Sequence, residues 1–122
     1  MKKKILLVED DKFLIRTYGY KLEDSGYEIL RLEDGVNVLP VAKEKNPDLI
    51  LLDIIMPNRN GFDVLRDLKS DKEAKNIPVI IVSNLSQQKD VEEGLNLGAE
   101  KFIVKSNISF QGLKDIIDDK LA

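Results

Sequence analysis

Residues 47–53 read Pro47-Asp48-Leu49-Ile50-Leu51-Leu52-Asp53, an unbroken aliphatic run between two acids. A short run of this kind, ended by polar residues, suits a strand of a parallel sheet buried on both faces. Outward from it, similar runs recur at Ile5–Val8, Val79–Val82 and Phe102–Val104, with a weaker one at Ile29–Leu32. Helical stripes separate them. Leu14, Ile15, Tyr18 and Leu22 share one face, as do Phe62, Leu65 and Leu68, with Val64 alongside. Val91 and Leu95 mark a shorter helix that Gly98 can stop, and Phe110, Leu113, Ile116, Ile117 and Leu121 form the last stripe. Asp11 or Asp10 can cap the first helix and Ser109 the last. Gly35 and Pro40 disfavour a long helix over 34–45, so a short, late-starting one is expected, with Asn37 as N-cap and Pro40 in its first turn.

The order is strand–helix, repeated through the chain. It predicts an α/β fold: a five-stranded parallel sheet of order 2-1-3-4-5 with five helices on both faces, flavodoxin-like. A closed barrel needs about 250 residues, and the chain has 122. A single domain over 1–122 with no output domain is expected. With 19 Lys and Arg against 22 Asp and Glu, the net charge of −3 offers no general attraction for nucleic acid or anionic membrane. Cys and His are both absent, which removes disulfides, thiolate chemistry, Cys- or His-based zinc sites and the Ser-His-Asp triad. Met1-Lys2-Lys3-Lys4 is followed by only Ile5–Val8 before three acids, too short for a signal-peptide core of about 7–15 apolar residues. No run approaches the roughly 20 apolar residues of a membrane span. A cytoplasmic location is expected.

Ligands of open α/β sheets bind beyond the carboxyl ends of the strands. Those ends carry Glu9-Asp10-Asp11, Asp53, Ser83-Asn84 and Lys105-Ser106. In the order 2-1-3-4-5 the four strands concerned are neighbours, so these residues converge on one edge. Glu9, Asp10 and Asp53 would crowd negative charge into one cleft, which calls for raised pKa values or a cation. A hard cation with oxygen ligands answers it, and Mg²⁺ fits such a set. Lys105 and the Ser83 hydroxyl could hold phosphate oxygens beyond the metal's reach, and Asp53 could itself take a phosphoryl group. Singly, each residue has a plainer role: the acids after the first strand as helix caps, Asp53 as a turn residue, Lys105 as a solvated charge, Phe102 as core. The joint pattern favours a site.

Taken together, Ile5–Asp11, Pro47–Asp53, Met56-Pro57 with Gly61, Pro78–Ser83, Leu97-Gly98-Ala99 and Phe102–Lys105 resemble a bacterial response-regulator receiver domain of two-component signalling, from Lys3 to about Leu121. The resemblance implies that Asp53 is the phospho-acceptor, fed by a sensor histidine kinase or a histidine phosphotransfer protein. It implies that Asp10 holds Mg²⁺ directly and Glu9 through water, with the Ile55 backbone carbonyl as a further ligand. Ser83 and Lys105 then match the residues that bind the phosphoryl group, and Phe102 matches the aromatic whose rotamer follows Ser83. The face of the last two strand–helix units would carry the signal to a downstream protein; a weak homodimer stays open. Such a domain catalyses its own phosphorylation and slow dephosphorylation and is not otherwise an enzyme. The chain departs from the family's pattern in three places. Lys105 is followed by Ser106, where the family usually has a proline after a cis peptide. A cis non-proline bond costs about 2.5–4 kcal/mol, so a trans bond with a rearranged loop or a strained cis bond is expected, and Lys105's placement hangs on which. Asn60 stands where Asp is common, and Phe102 replaces the commoner Tyr. Ile55 offers nothing to orient an attacking water, so slow autodephosphorylation is expected.

Other functions on the same sheet need other loops. A flavin or dinucleotide site needs a Gly- or hydroxyl-rich phosphate loop after the first strand, where this chain has three acids. A P-loop motif is absent. An aspartate-nucleophile phosphatase would place its nucleophile after the first strand and carry a cap insertion, for which there is no room. The remaining rival is an adaptor that keeps the fold without phosphorylation; such proteins usually lose the acceptor, an acid or the lysine, and all are present here.

Overall fold

The three central strands form where an aliphatic run can bury both of its faces. The computed structural model describes residues 2–122; Met1, which precedes the three N-terminal lysines, lies outside them. The chain runs β1 (Lys4–Val8), α1 (Lys12–Asp24), β2 (Glu28–Leu32), α2 (Val38–Lys45), β3 (Leu49–Leu52), α3 (Gly61–Ser70), β4 (Val79–Ser83), α4 (Gln88–Asn96), β5 (Lys101–Val104) and α5 (Phe110–Leu121). The strands are all parallel, in the order β2-β1-β3-β4-β5, the expected flavodoxin-like arrangement. Alternate residues of each strand enter different cores, as the period of two requires. Leu6, Val8, Ile50, Leu52, Val79 and Ile81 meet Val38, Ala42, Val64, Leu65 and Leu68 from α2 and α3. Ile5, Leu7, Leu49, Leu51, Ile80 and Val82 meet Ile15 and Leu22 of α1 and Leu113 and Ile117 of α5. Each fully buried Leu or Ile stabilises the fold by about 1.5–3 kcal/mol relative to exposure.

The helix ends follow local chemistry. Asp11 caps α1, its Oδ1 accepting from the N–H groups of Phe13 and Leu14 at 2.9 and 3.0 Å. Ser109 caps α5 through Gly112 N at 3.0 Å. Helix α2 does start late, with Asn37 at the N-cap position and Pro40 in the first turn. Gly98 follows α4 with φ +114°, a left-handed stop that glycine adopts freely. Leu14, half-buried near the start of α1, lines the cleft beyond the strand ends.

Register places the site. Val8 pairs with Leu52, so Glu9 and Asp53 leave the sheet side by side, and Asp53 N donates to Val8 O at 3.1 Å. Ser83 pairs with Val104, so Lys105 emerges one step beyond Ser83. Strand β2 lies at the far edge.

Candidate functional site

The cleft at the carboxyl ends of the strands is lined by Asp10, Asp53, Ser83 and Lys105, with Glu9, Leu14, Ile55 and Asn84 beside them. Glu9 and Asp53 are buried, at 2% and 6% exposure, and Ser83 is fully buried. Asp10 is exposed. One carboxylate oxygen from each of Glu9, Asp10 and Asp53 lies within 4.8 Å of the others. Lys105 Nζ reaches into this group, 2.9 Å from Asp53 Oδ2 and 2.5 Å from Glu9 Oε1. The other oxygens are also engaged: Asp53 Oδ1 accepts from Ile54 N at 2.7 Å and Glu9 Oε2 from Asp11 N at 3.0 Å.

Burial pushes the Glu9 carboxyl above its ordinary pKa; Lys105 and the Asp11 N–H offset part of this, and the Asp53 charge adds to it. Burial alone would lower Lys105, but hydrogen bonds to Glu9 and Asp53 overturn it and hold the ammonium above its ordinary value. The cleft therefore keeps its lysine charged while gathering more carboxylates than that one cation can balance. An all-oxygen set with excess negative charge and an exposed member that water can reach has the donor chemistry of a hard divalent-cation site.

The Lys105–Ser106 bond is trans, as are all peptide bonds among the described residues. Lys105–Asn107 form a single 3₁₀ turn in place of the proline corner, and Lys105 still reaches both carboxylates. Asn60 N-caps α3, its Oδ1 accepting from Asp63 N at 3.1 Å; Asp could do the same work there. Ile55 lies on the rim of the cleft and is 59% exposed. Ser83 Oγ accepts from Leu85 N at 3.3 Å, which ties it to the segment leading into α4. Phe102 does not line the cleft. Its ring is half-buried on the α3 side of the sheet, beside Gly94 of α4.

Three features of the site are beyond the reach of residue spacing. The Glu9–Lys105 contact depends on the length of the Glu side chain and the path of the 3₁₀ turn. Gly61 lies so close to the Asp53 backbone carbonyl that a β-carbon there would approach it to 2.3 Å. Leu14 lines the cleft without a motif to announce it; its only signal is adjacency to the cap of α1.

The profile described as "Response regulator receiver domain" matches residues 5–118. The polar-differentiation response regulator DivK of Brucella ovis is 38% identical over 105 residues, covering 86% of this chain and 85% of that protein. Among solved structures, the phosphorylated cyanobacterial phytochrome response regulator RcpA is 32% identical with a TM-score of 0.87, covering 100% of this chain and 96% of that one. The Mn²⁺-bound form of response regulator Rcp1 is 31% identical with a TM-score of 0.79, covering 97% and 88%. Fold, strand-end chemistry and relatives agree, and the chain belongs to the receiver-domain family of two-component response regulators.

Proposed function

We propose that this chain is a phosphorylation switch that takes a phosphoryl group on Asp53 from a phosphohistidine of a sensor histidine kinase or histidine phosphotransfer protein. The observation that carries the proposal is the meeting of three carboxylates with the Lys105 ammonium at the ends of β1, β3 and β5. Asp53 Oδ1 is held by Ile54 N–H, which leaves Oδ2, the oxygen facing Lys105, as nucleophile. A P–O bond forms to Oδ2 as the donor's P–N bond breaks, and the imidazole leaves with the electron pair of that bond and takes up a proton. The products are an acyl phosphate and a free histidine; no redox partner is needed. Asp10 and Asp53, with Glu9 and the Ile55 carbonyl beside them, would hold Mg²⁺, in keeping with the Mn²⁺-bound relative. When bound, the cation neutralises charge that builds on the phosphoryl oxygens. Lys105 and the Ser83 hydroxyl then bind those oxygens, and the phosphorylated form favours one of two pre-existing arrangements of the β4–α4 and β5–α5 units. A downstream protein would read that face.

Among the described residues, no helix is long and apolar enough to cross a membrane. We place the protein in the cytoplasm, where its donors present their phosphohistidines.

Incubation with Mg²⁺ and acetyl phosphate, followed by intact mass, tests the proposal. A single phosphoryl adduct is expected, lost in Asp53→Asn and with a chelator. A folded protein with no adduct in any sample would overturn it in favour of a phosphorylation-independent adaptor. The adduct should decay slowly, because the apolar Ile55 side chain cannot orient water. Ile55→Asn should change its lifetime, and an unchanged lifetime would remove Ile55 from the account.

A further inference from the structure

Gly94 lies inside α4, buried, at a position where glycine costs helix stability. Its backbone has no left-handed φ to require glycine; among the described glycines only Gly26 and Gly98 do. What the position does require is space. A β-carbon at Gly94 would come within 2.6 Å of Ile81 Cδ1 and within 3.0 and 3.4 Å of Phe102 Cδ2 and Cε2. Ile81 is fully buried and is the register partner of Phe102 across β4 and β5. The missing side chain of α4 is therefore what lets the Phe102 ring lie against the helix backbone.

We infer that Gly94 is a positioning residue: it holds open the seat of the Phe102 ring and thereby sets how that ring answers phosphorylation of Asp53. The second half rests on the function proposed above. The coupling runs through Ser83, two residues beyond Ile81 on β4, whose Oγ accepts from Leu85 N at 3.3 Å. A Ser83 hydroxyl drawn to a phosphoryl oxygen gives up that bond and frees the segment that leads into α4. With no side chain between ring and helix, Phe102 can slide along α4 as the helix start shifts. A methyl group there would block the path and expel the ring from its seat before any phosphorylation.

Fluorine NMR of the full chain labelled with 4-fluorophenylalanine reads this directly. The chain has four Phe residues, and Phe102→Leu assigns the line of interest. Gly94→Ala should shift the Phe102 line in the unphosphorylated protein, and its further shift with Mg²⁺ and beryllium trifluoride should be lost. Ile81→Val removes the Cδ1 atom that would clash most closely, so the double variant Ile81→Val/Gly94→Ala keeps the fold and isolates the contact with the ring. The line should stay near its wild-type position in Ile81→Val and move in the double variant. A Phe102 line that ignores Gly94→Ala in both backgrounds overturns the seat. A line that moves in Gly94→Ala but not when the wild-type protein takes up the phosphoryl mimic overturns the coupling to Asp53. Intact mass after acetyl phosphate, on the same preparations, separates either result from a failure of phosphorylation itself.

Discussion

The two edges of the sheet use one device to opposite ends. At the β2 edge, Gly19 of α1 leaves room for Arg31: a β-carbon there would lie 2.5–2.8 Å from Nη2, Nε and Cζ of its guanidinium. That guanidinium is then tied to Glu23 by two bonds of 2.9 and 3.3 Å. The strand is fastened again at its start, where the Tyr27 hydroxyl donates to Asp118 of α5, itself paired with Lys114 at 2.6 Å. At the β5 edge, Gly94 of α4 leaves room for Phe102, which has no polar atom to tie down. The ion pairs on that side do not hold the ring: Lys120–Glu100 at 2.8 Å sits before the start of the strand, and the exposed Arg66–Glu93 pair at 3.4 Å joins α3 to α4. Strand β2 contributes no residue to the cleft; from α1 only its start, with Leu14, reaches it. The untethered edge belongs to the strands that supply Ser83 and Lys105. A sheet that must hold its shape while one side responds would be built this way, with polar ties on the still side and an apolar seat on the moving one.

A series of glycine-to-alanine substitutions tests this contrast, because the same methyl group meets a different neighbour each time. Gly61→Ala should be the most damaging: the methyl would lie 2.3 Å from Asp53 O and 2.7 Å from Ile54 Cα. Backbone cannot swing aside as a side chain can, so a loss of about 3 kcal/mol or more is expected, together with loss of the Asp53 adduct. Urea unfolding and intact mass check both. Gly94→Ala comes next, costing about 1–2 kcal/mol net, since overpacking against Ile81 outweighs the roughly 1 kcal/mol that alanine returns to a helix. Adding Ile81→Val should recover part of that loss. Equal losses at the two positions would break the distinction between backbone and side-chain neighbours.

Much of this was legible in the sequence because parallel strands level their ends. An aliphatic run stops where its polar successor begins, so Leu52-Asp53, Val8-Glu9 and Val104-Lys105 announce both strand and site. Register then brings the three together without any appeal to side-chain geometry. The two seat glycines are invisible by the same logic. A glycine within a helical pattern reads only as a weak position, and its reason lies across a gap on a strand far away in the chain. Periodicity fixes a face roughly 100° wide, which places Leu14 on the α1 stripe but does not say that it reaches the cleft. The 3₁₀ turn after Val104 escaped because Ser106 says only that the proline corner is missing, not what replaces it.

On the tethered edge, Tyr27→Phe should cost about 1 kcal/mol, the usual net worth of one hydrogen bond. The loss should depend on pH with a definite sign. Burial first, then the hydrogen bond to Asp118 and its charge, raise the Tyr27 pKa from 10.0 to about 12. The unfolded chain therefore gives up this proton first, and between those values the folded state binds more protons. The stabilisation from Tyr27 should be complete below pH 10 and fade as pH rises towards 12 and beyond. The difference in urea midpoint between wild type and Tyr27→Phe, followed with pH, should shrink over that window. A constant difference would mean that the phenol is not held by Asp118.

The smallest effect should come from Gly19→Ala, and its smallness is the sharpest test of the comparison. The methyl would meet only the far end of a flexible side chain, and both members of the pair that it disturbs are partly exposed, at 35% and 46%. Arg31 can swing into solvent and give up Glu23, a loss of about 0.2–1 kcal/mol for an exposed pair. Alanine returns about 0.8–1 kcal/mol in helix propensity. The net change should lie within about 0.5 kcal/mol of zero, the range usual for surface substitutions. In a double-mutant cycle with Arg31→Ala, the Gly19→Ala change should become clearly stabilising, because only the propensity gain remains once the guanidinium is gone. Phe102's fluorine line should not move in either variant. A large loss from Gly19→Ala would mean that the two edges are equally rigid, and the division of the sheet into a tied side and a responsive side would fall with it.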